Sequence, residues 1–228
     1  MDQISMFSAE ASGPAVEDLA GVLCGPGRIV SFARTTARLS VLVEQRSRAR
    51  ALAAEYRRRR VHAEVMSTEC GRFLVRTAFR ADLISLAEKW SDASGKTVPG
   101  GFRLDGAALR LWALAAGVPA ETGYLLPFDP GAPWTHEPLA AAVDALGLAG
   151  RVLTERAGGP GVCVRGRRRL EQLAELLGSS PGGVTELWPC PPPSAARAER
   201  PAVAPNPAPG GTDGRELGGE GQLDLLSA

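Results

Sequence analysis

Between Val16 and Trp188 the apolar pattern sets out one order of elements twice, and this repetition narrows the possible folds more than any other feature of the chain. The first pass opens with VEDLAGVLCG, a short helix stopped by Gly25, Pro26 and Gly27, which supply stop and turn chemistry. RIVSFA and RLSVLVE follow as strand-like runs, alternating or rich in β-branched residues, separated by a short turn. SRARALAAEYRRRR places Ala49, Leu52, Ala53 and Tyr56 at helical spacing with arginines around them. VHAEVM and RFLVRTAF give another strand pair, and ADLISLAEKW closes the pass as a helix. After SDASGKTVPGGF the order restarts. Asp105 is the N-cap of GAALRLWALAAG, ETGYLLPF follows, EPLAAAVDALGL is a helix, RVLTER and GVCVRG are strands, and RRRLEQLAELLG is the last helix. The first hairpin of this second pass is trimmed, because VPAETGYLLPFDP leaves little room for two full strands. The expected class is α+β, two tandem α-β-β-α-β-β-α repeats of about 85 residues each.

Outside this span the pattern stops. From Cys190 onward the chain is rich in Pro, Ala and Gly, acidic, and without an aromatic residue, so it buries too little surface to offset its conformational entropy. The expected organisation is a flexible peptide over 1–15, a first repeat over 16–91, a linker over 92–104, a second repeat over 105–189 and a disordered tail over 190–228.

Charge follows the same division. Val16 to Pro189 carries 23 basic and 18 acidic residues, whereas the flanks carry 3 and 7. A mildly basic body permits contact with phosphates, and whether it makes such contact depends on how many cations share one surface. Lys89 and Lys96 are the only lysines among 26 basic residues. Cys24, Cys70, Cys163 and Cys190 stand singly, in neither a zinc spacing nor a disulfide framework, so no metal or other cofactor is expected. There is no apolar leader and no run of about 18 apolar residues, which points to a soluble, cytoplasmic, nucleoid-associated protein with no membrane partner.

Leu19 to Gly27 spells L-A-G-V-L-C-G-P-G, which resembles the signature nonapeptide of the LAGLIDADG homing-endonuclease fold at Leu19, Ala20, Gly21 and Gly27. Leu109 to Gly117, L-R-L-W-A-L-A-A-G, is a poorer match that keeps the helix, the small residues and the final glycine. The stretch LISLAEKWSDASGKTVPGGFRLDGAALRLWALAAG is similar to WhiA-like bacterial regulators, which are built on the same duplicated fold; with a Pro/Ala-rich stretch where that family continues, the expectation is a relative without its helix-turn-helix domain. The resemblance implies that the two nonapeptide helices pack closely through small residues. It also implies that the two four-stranded sheets form a saddle whose concave face lies along a DNA groove. Arg28, Arg34, Arg38, Arg72 and Arg76 are the candidate contacts to double-stranded DNA, able to pair with phosphates or read guanine edges.

In the endonucleases, cleavage needs an acid at the eighth position of each nonapeptide to hold divalent metal. Pro26 and Ala116 stand there, and neither side chain ligates magnesium. His62 and His136, the only histidines, have no sequence-near nucleophile. The expectation from these positions is a protein that is not an enzyme and has no catalytic residue.

Each end carries a further motif. Gln3, Ile4, Ser5, Met6 and Phe7, and again Gln222, Leu223, Asp224, Leu225 and Leu226, resemble the pentapeptide by which bacterial polymerases and repair proteins insert into the β sliding clamp. Each places a glutamine for amide hydrogen bonds and two large apolar side chains for a hydrophobic cleft. The expected function is therefore an accessory protein of replication or repair that binds DNA through its body and docks on the clamp through both ends. The alternative is a WhiA-like transcription regulator or interaction scaffold acting without a helix-turn-helix.

Overall fold

The computed structural model describes Ala9 and residues 13–189. A 3-10 turn, Val16–Leu19, runs into helix α1 (Ala20–Cys24). Strands β1 (Arg28–Phe32) and β2 (Thr36–Val43), helix α2 (Arg46–Arg58), strands β3 (Ala63–Ser67) and β4 (Phe73–Thr77) and helix α3 (Ile84–Trp90) follow. Next is a small hairpin, β5 (Ser91–Asp92) with β6 (Gly95–Lys96). Helix α4 (Gly106–Ala116), strands β7 (Val118–Ala120) and β8 (Gly123–Pro127), helix α5 (His136–Ala145), strands β9 (Arg151–Leu153) and β10 (Gly161–Arg165) and helix α6 (Arg167–Leu177) complete the described chain. The four-stranded sheets have orders β1-β2-β4-β3 and β7-β8-β10-β9, antiparallel throughout. The second sheet repeats the first strand for strand, and the α+β duplication read from the sequence is the fold of the protein.

Where the elements differ from the sequence reading, turn chemistry accounts for it. The linker is partly ordered: Asp92 accepts from the Ser94 backbone and hydroxyl, and Gly95, at φ +113, closes the tight β5–β6 hairpin. Strand β9 stops after three residues, because the chain bends at Thr154 into a 3-10 turn that ends on left-handed Gly158. The β1–β2 turn holds Ala33 and Arg34 at φ 50 and 56, a primed geometry that glycine or asparagine normally supplies, so neither residue announces it.

The two nonapeptide helices touch backbone to backbone. A Cβ added at Gly21 would fall 1.8 Å from the carbonyl oxygen of Ala108 on α4, so the helix contact requires glycine there. Gly25 faces the Trp112 ring and the Ala116 methyl, where a Cβ would lie at 3.1 to 3.3 Å. Leu19, Leu23, Leu39, Leu52, Tyr56 and Val75 of the first repeat join Leu109, Trp112, Tyr124, Leu126 and Leu173 of the second in one buried core.

A buried charge network adds a polar tie between the repeats. Glu55 of α2 accepts from Arg59 at 2.7 Å and from Arg110 of α4 at 3.0 Å, and Arg59 also donates to Asp18 at 2.8 Å. Arg110 donates further to the carbonyls of Leu177 and Ser179 and lies over the Trp188 ring. The arginine that spoils the second nonapeptide match is thus a buried cation joining α2, α4 and the end of α6. Burial pushes the Glu55 carboxyl up, but Arg59 and Arg110 outweigh it and hold its pKa below the ordinary value of 4.5.

Candidate nucleic-acid interface

Strand alternation gives each sheet two faces. On the first sheet Ala37, Leu39, Val41, Val43 and Val75 are buried against the helices, so Arg38, Ser40, Leu42, Leu74 and Arg76 point the other way. Strand register then assembles a row across the outer face: Arg28 opposite Ser40, Ser40 opposite Arg76, Arg76 opposite Glu64. Val30 opposite Arg38 forms the neighbouring row. Three of the five arginines proposed from sequence therefore share one surface. Glu64 is the one acid in these rows, and it sits 3.7 Å from Arg76.

The other two arginines lie in turns at opposite ends of this sheet. Arg34 is at the tip of the β1–β2 hairpin, beyond Phe32 and Thr36. Arg72 precedes β4, whose first residue, Phe73, pairs with Val43 at the far end of β2. Its guanidinium donates to the Cys70 sulfur at 3.4 Å, and Thr68 lies 3.1 Å from the same sulfur. Those hydrogen bonds, from Thr68 first and then Arg72, pull the exposed Cys70 thiol down to about 7. The terminal residues Gln3 to Phe7 and Gln222 to Leu226 lie outside the described residues.

A second feature borders this face. At the C-terminal end of α1 the Lys96 ammonium donates to the carbonyls of Gly25 and Gly27 and, at 3.1 Å, to Asp129. Burial lowers the Lys96 pKa from its ordinary value, and Asp129 opposes that shift. Asp129 also accepts from the Gly131 backbone, and Trp134 donates to the Lys96 carbonyl. The cleft here, of about 440 Å³, is lined by Arg28, Val30, Lys96, Asp129 and Trp134 among others. Arg28 thus belongs both to the outer face and to the rim of the cleft. At the matching end of α4, Arg48 of α2 donates to the Gly117 carbonyl at 2.7 Å. Just past the end of each nonapeptide helix a cation, the half-buried Lys96 or the buried Arg48, donates to backbone carbonyls and offsets the negative end of the helix dipole.

Sequence reasoning missed Lys96 and Arg48. Lys96 had one signal, being one of two lysines in an arginine-rich chain, but its partners stand some seventy positions earlier. Arg48 had none, since it lies among other arginines on α2.

The sequence matches no protein-family model and no curated protein. Among solved structures it is similar to "The homing endonuclease I-WcaI bound to its DNA recognition sequence", with a TM-score of 0.52, 12% sequence identity, and coverage of 78% of this chain and 83% of that one. This likeness corrects one expectation. Pro26 and Ala116 had argued that the protein is not an enzyme, yet the similar structure is that of an endonuclease, and those two positions do not decide against catalysis. Among the described residues no helix is long and apolar enough to cross a membrane. With the paired sheets, the glycine-mediated helix contact and this likeness together, the fold is LAGLIDADG-like.

Proposed function

We propose that this protein binds double-stranded DNA along the outer face of its first sheet and docks on the bacterial β sliding clamp through residues 3–7 and 222–226, in replication or repair. The observation that carries the DNA reading is the convergence of Arg28, Arg38 and Arg76 on one surface, with Arg34 at its edge and Glu64 as the opposing charge. Planar guanidiniums suit this task, because they pair with phosphate oxygens in two-pronged fashion and can read guanine edges. The similar endonuclease is bound to DNA, which supports the same use of the fold here. The clamp reading is supported by two matching pentapeptides in one chain, each with a glutamine and paired large apolar residues.

A gel-shift salt series on duplex DNA tests the first part. Binding should weaken steeply with salt, and replacing Arg28, Arg38 and Arg76 together by alanine should flatten the logarithmic slope by about one for each phosphate no longer neutralised. Absence of a shift at low salt, or an unchanged slope in the triple variant, contradicts it. For the clamp, a pull-down with purified clamp should succeed with the native chain and fail with alanine at Phe7, Leu225 and Leu226. Equal capture of both removes the clamp from the account and leaves the WhiA-like regulator, which needs only the DNA face.

A further inference from the structure

The outer face of the first sheet carries an aromatic pair that phosphate binding does not use. Phe32 ends β1 and is 64% exposed, and Phe79, just after β4, is 39% exposed. The antiparallel bridge from Ala37 to Arg80 brings the segment after β4 back beside the β1–β2 hairpin, so the two rings meet with centroids 5.6 Å apart and planes tilted by 49°. Arg38 holds its guanidinium 4.5 Å from the centre of the Phe79 ring. Arg34 stands at the hairpin tip immediately beyond Phe32.

Two rings that lean on each other at the edge of a sheet, Phe79 also lying beneath the Arg38 guanidinium, leave apolar area in water, and their exposure sets them outside the core. Their neighbours are cations. Arg80 is matched by Asp82 at 2.5 Å, whereas Arg34 and Arg38 have no acid beside them among the ion pairs of the described residues. Flat aromatic faces set among arginines complement a nucleobase carried on a phosphodiester backbone. The ring takes the base by stacking, and the arginines take the flanking phosphates. A purely apolar protein partner would have to bury those guanidiniums unpaired, which is costly.

We propose that Phe32 and Phe79 form a stacking step for an unpaired base of DNA, so that DNA with a base out of the helix is bound in preference to a continuous duplex. This rests on the DNA reading above and names its substrate more closely. A paired base offers no open face to these rings, and an unpaired one has little stacking left to lose. The step stands at the hairpin end of the face, with the Arg28–Ser40–Arg76 row inward of it to hold the adjoining duplex.

The test compares a continuous duplex with the same duplex carrying one unpaired fluorescent adenine analogue, using fluorescence anisotropy for affinity and the analogue's own emission for stacking. The native protein should bind the bulged duplex about tenfold more tightly and quench the analogue. Phe32→Ala with Phe79→Ala should erase both effects while leaving the affinity for the continuous duplex in place. Phe32→Ala alone serves as a second variant, since a side chain this exposed contributes little to folding, and a thermal melt confirms it. Equal affinity for the two duplexes, or a preference that survives both substitutions, overturns this proposal alone. Failure to bind either duplex overturns it together with the DNA reading. An RNA of the same sequence bound with the same phenylalanine dependence, and more tightly than the DNA, overturns the assignment to DNA.

Discussion

The first sheet sends Arg28, Val30, Phe32, Arg38, Leu42 and Arg76 outward from strands of five to eight residues along β1, β2 and β4. The second, with the same strand order, sends Leu125, Leu153 and Cys163 outward, and there they pack on one another and on Ala120 and are buried. Arg151 and Arg165 are the cations on that surface, and Arg165 turns its guanidinium onto the Cys163 sulfur. Inner faces behave differently. Both supply aliphatic and aromatic residues to a single core, and the helices that cover them meet at Gly21 and Ala108. Close packing dictates what an inner face must be, because a misfit of one methyl group is felt throughout a dense core. An outer face answers only to solvent or to a ligand, so two copies of one architecture can present exposed arginines and apolar side chains on one sheet and a small buried apolar cluster, flanked by Arg151 and Arg165, on the other.

The largest expected effect tests the shared half of this comparison. Gly21→Val drives a side chain into the Ala108 carbonyl, where a Cβ would already sit at 1.8 Å, and should cost on the order of 4 kcal/mol or more. Since the repeats share one core, native protein should melt in a single transition, and the variant should lose both repeats together. Separate melting, followed by tryptophan fluorescence and circular dichroism, would divide the fold into two independent halves.

Next in size is the charge network. Glu55→Gln leaves Arg59 and Arg110 buried beside a neutral amide and should destabilise by about 3 kcal/mol. The pH dependence has a definite sign. Because the folded Glu55 pKa lies below 4.5, its stabilisation is complete above that value and is lost as pH falls through the depressed folded pKa. Denaturant midpoints measured from neutral to acid pH should therefore converge for native protein and Glu55→Gln at the acid end. Parallel curves would show that the carboxylate contributes nothing.

A smaller effect reads the two outer surfaces through their cysteines. Cys70, exposed on the β3–β4 turn, should alkylate with a midpoint near pH 7, where Thr68 and Arg72 hold its thiolate, while Cys163, fully buried on the second sheet, should react only on unfolding. Thr68→Val should move the Cys70 midpoint upward. Site-resolved mass spectrometry checks both, and prompt labelling of Cys163 would mean that the second sheet is as open as the first.

Much of this was legible in the chain. The doubled order of elements and the alternation of RIVSF and RLSVLV indicated the fold, and the resemblance pointed to Arg28, Arg38 and Arg76 as contacts. Small residues in LAGVLCGPG pointed to the close helix pair. Long-range pairing supplied the rest. No local rule says that Arg76 stands two strands from Arg28, that Phe79 returns to Phe32, or that Lys96 reaches back to the end of α1. Those juxtapositions depend on register between segments tens of residues apart, which side-chain periodicity does not encode.

Backbone hydrogen exchange with and without duplex DNA bears most directly on the claim that one sheet of the two is the binding surface. Protection on adding DNA should fall on residues 28–43 and 72–80, leaving 118–127 and 151–165 unchanged. Protection confined to the second sheet, or spread equally over both, would contradict it.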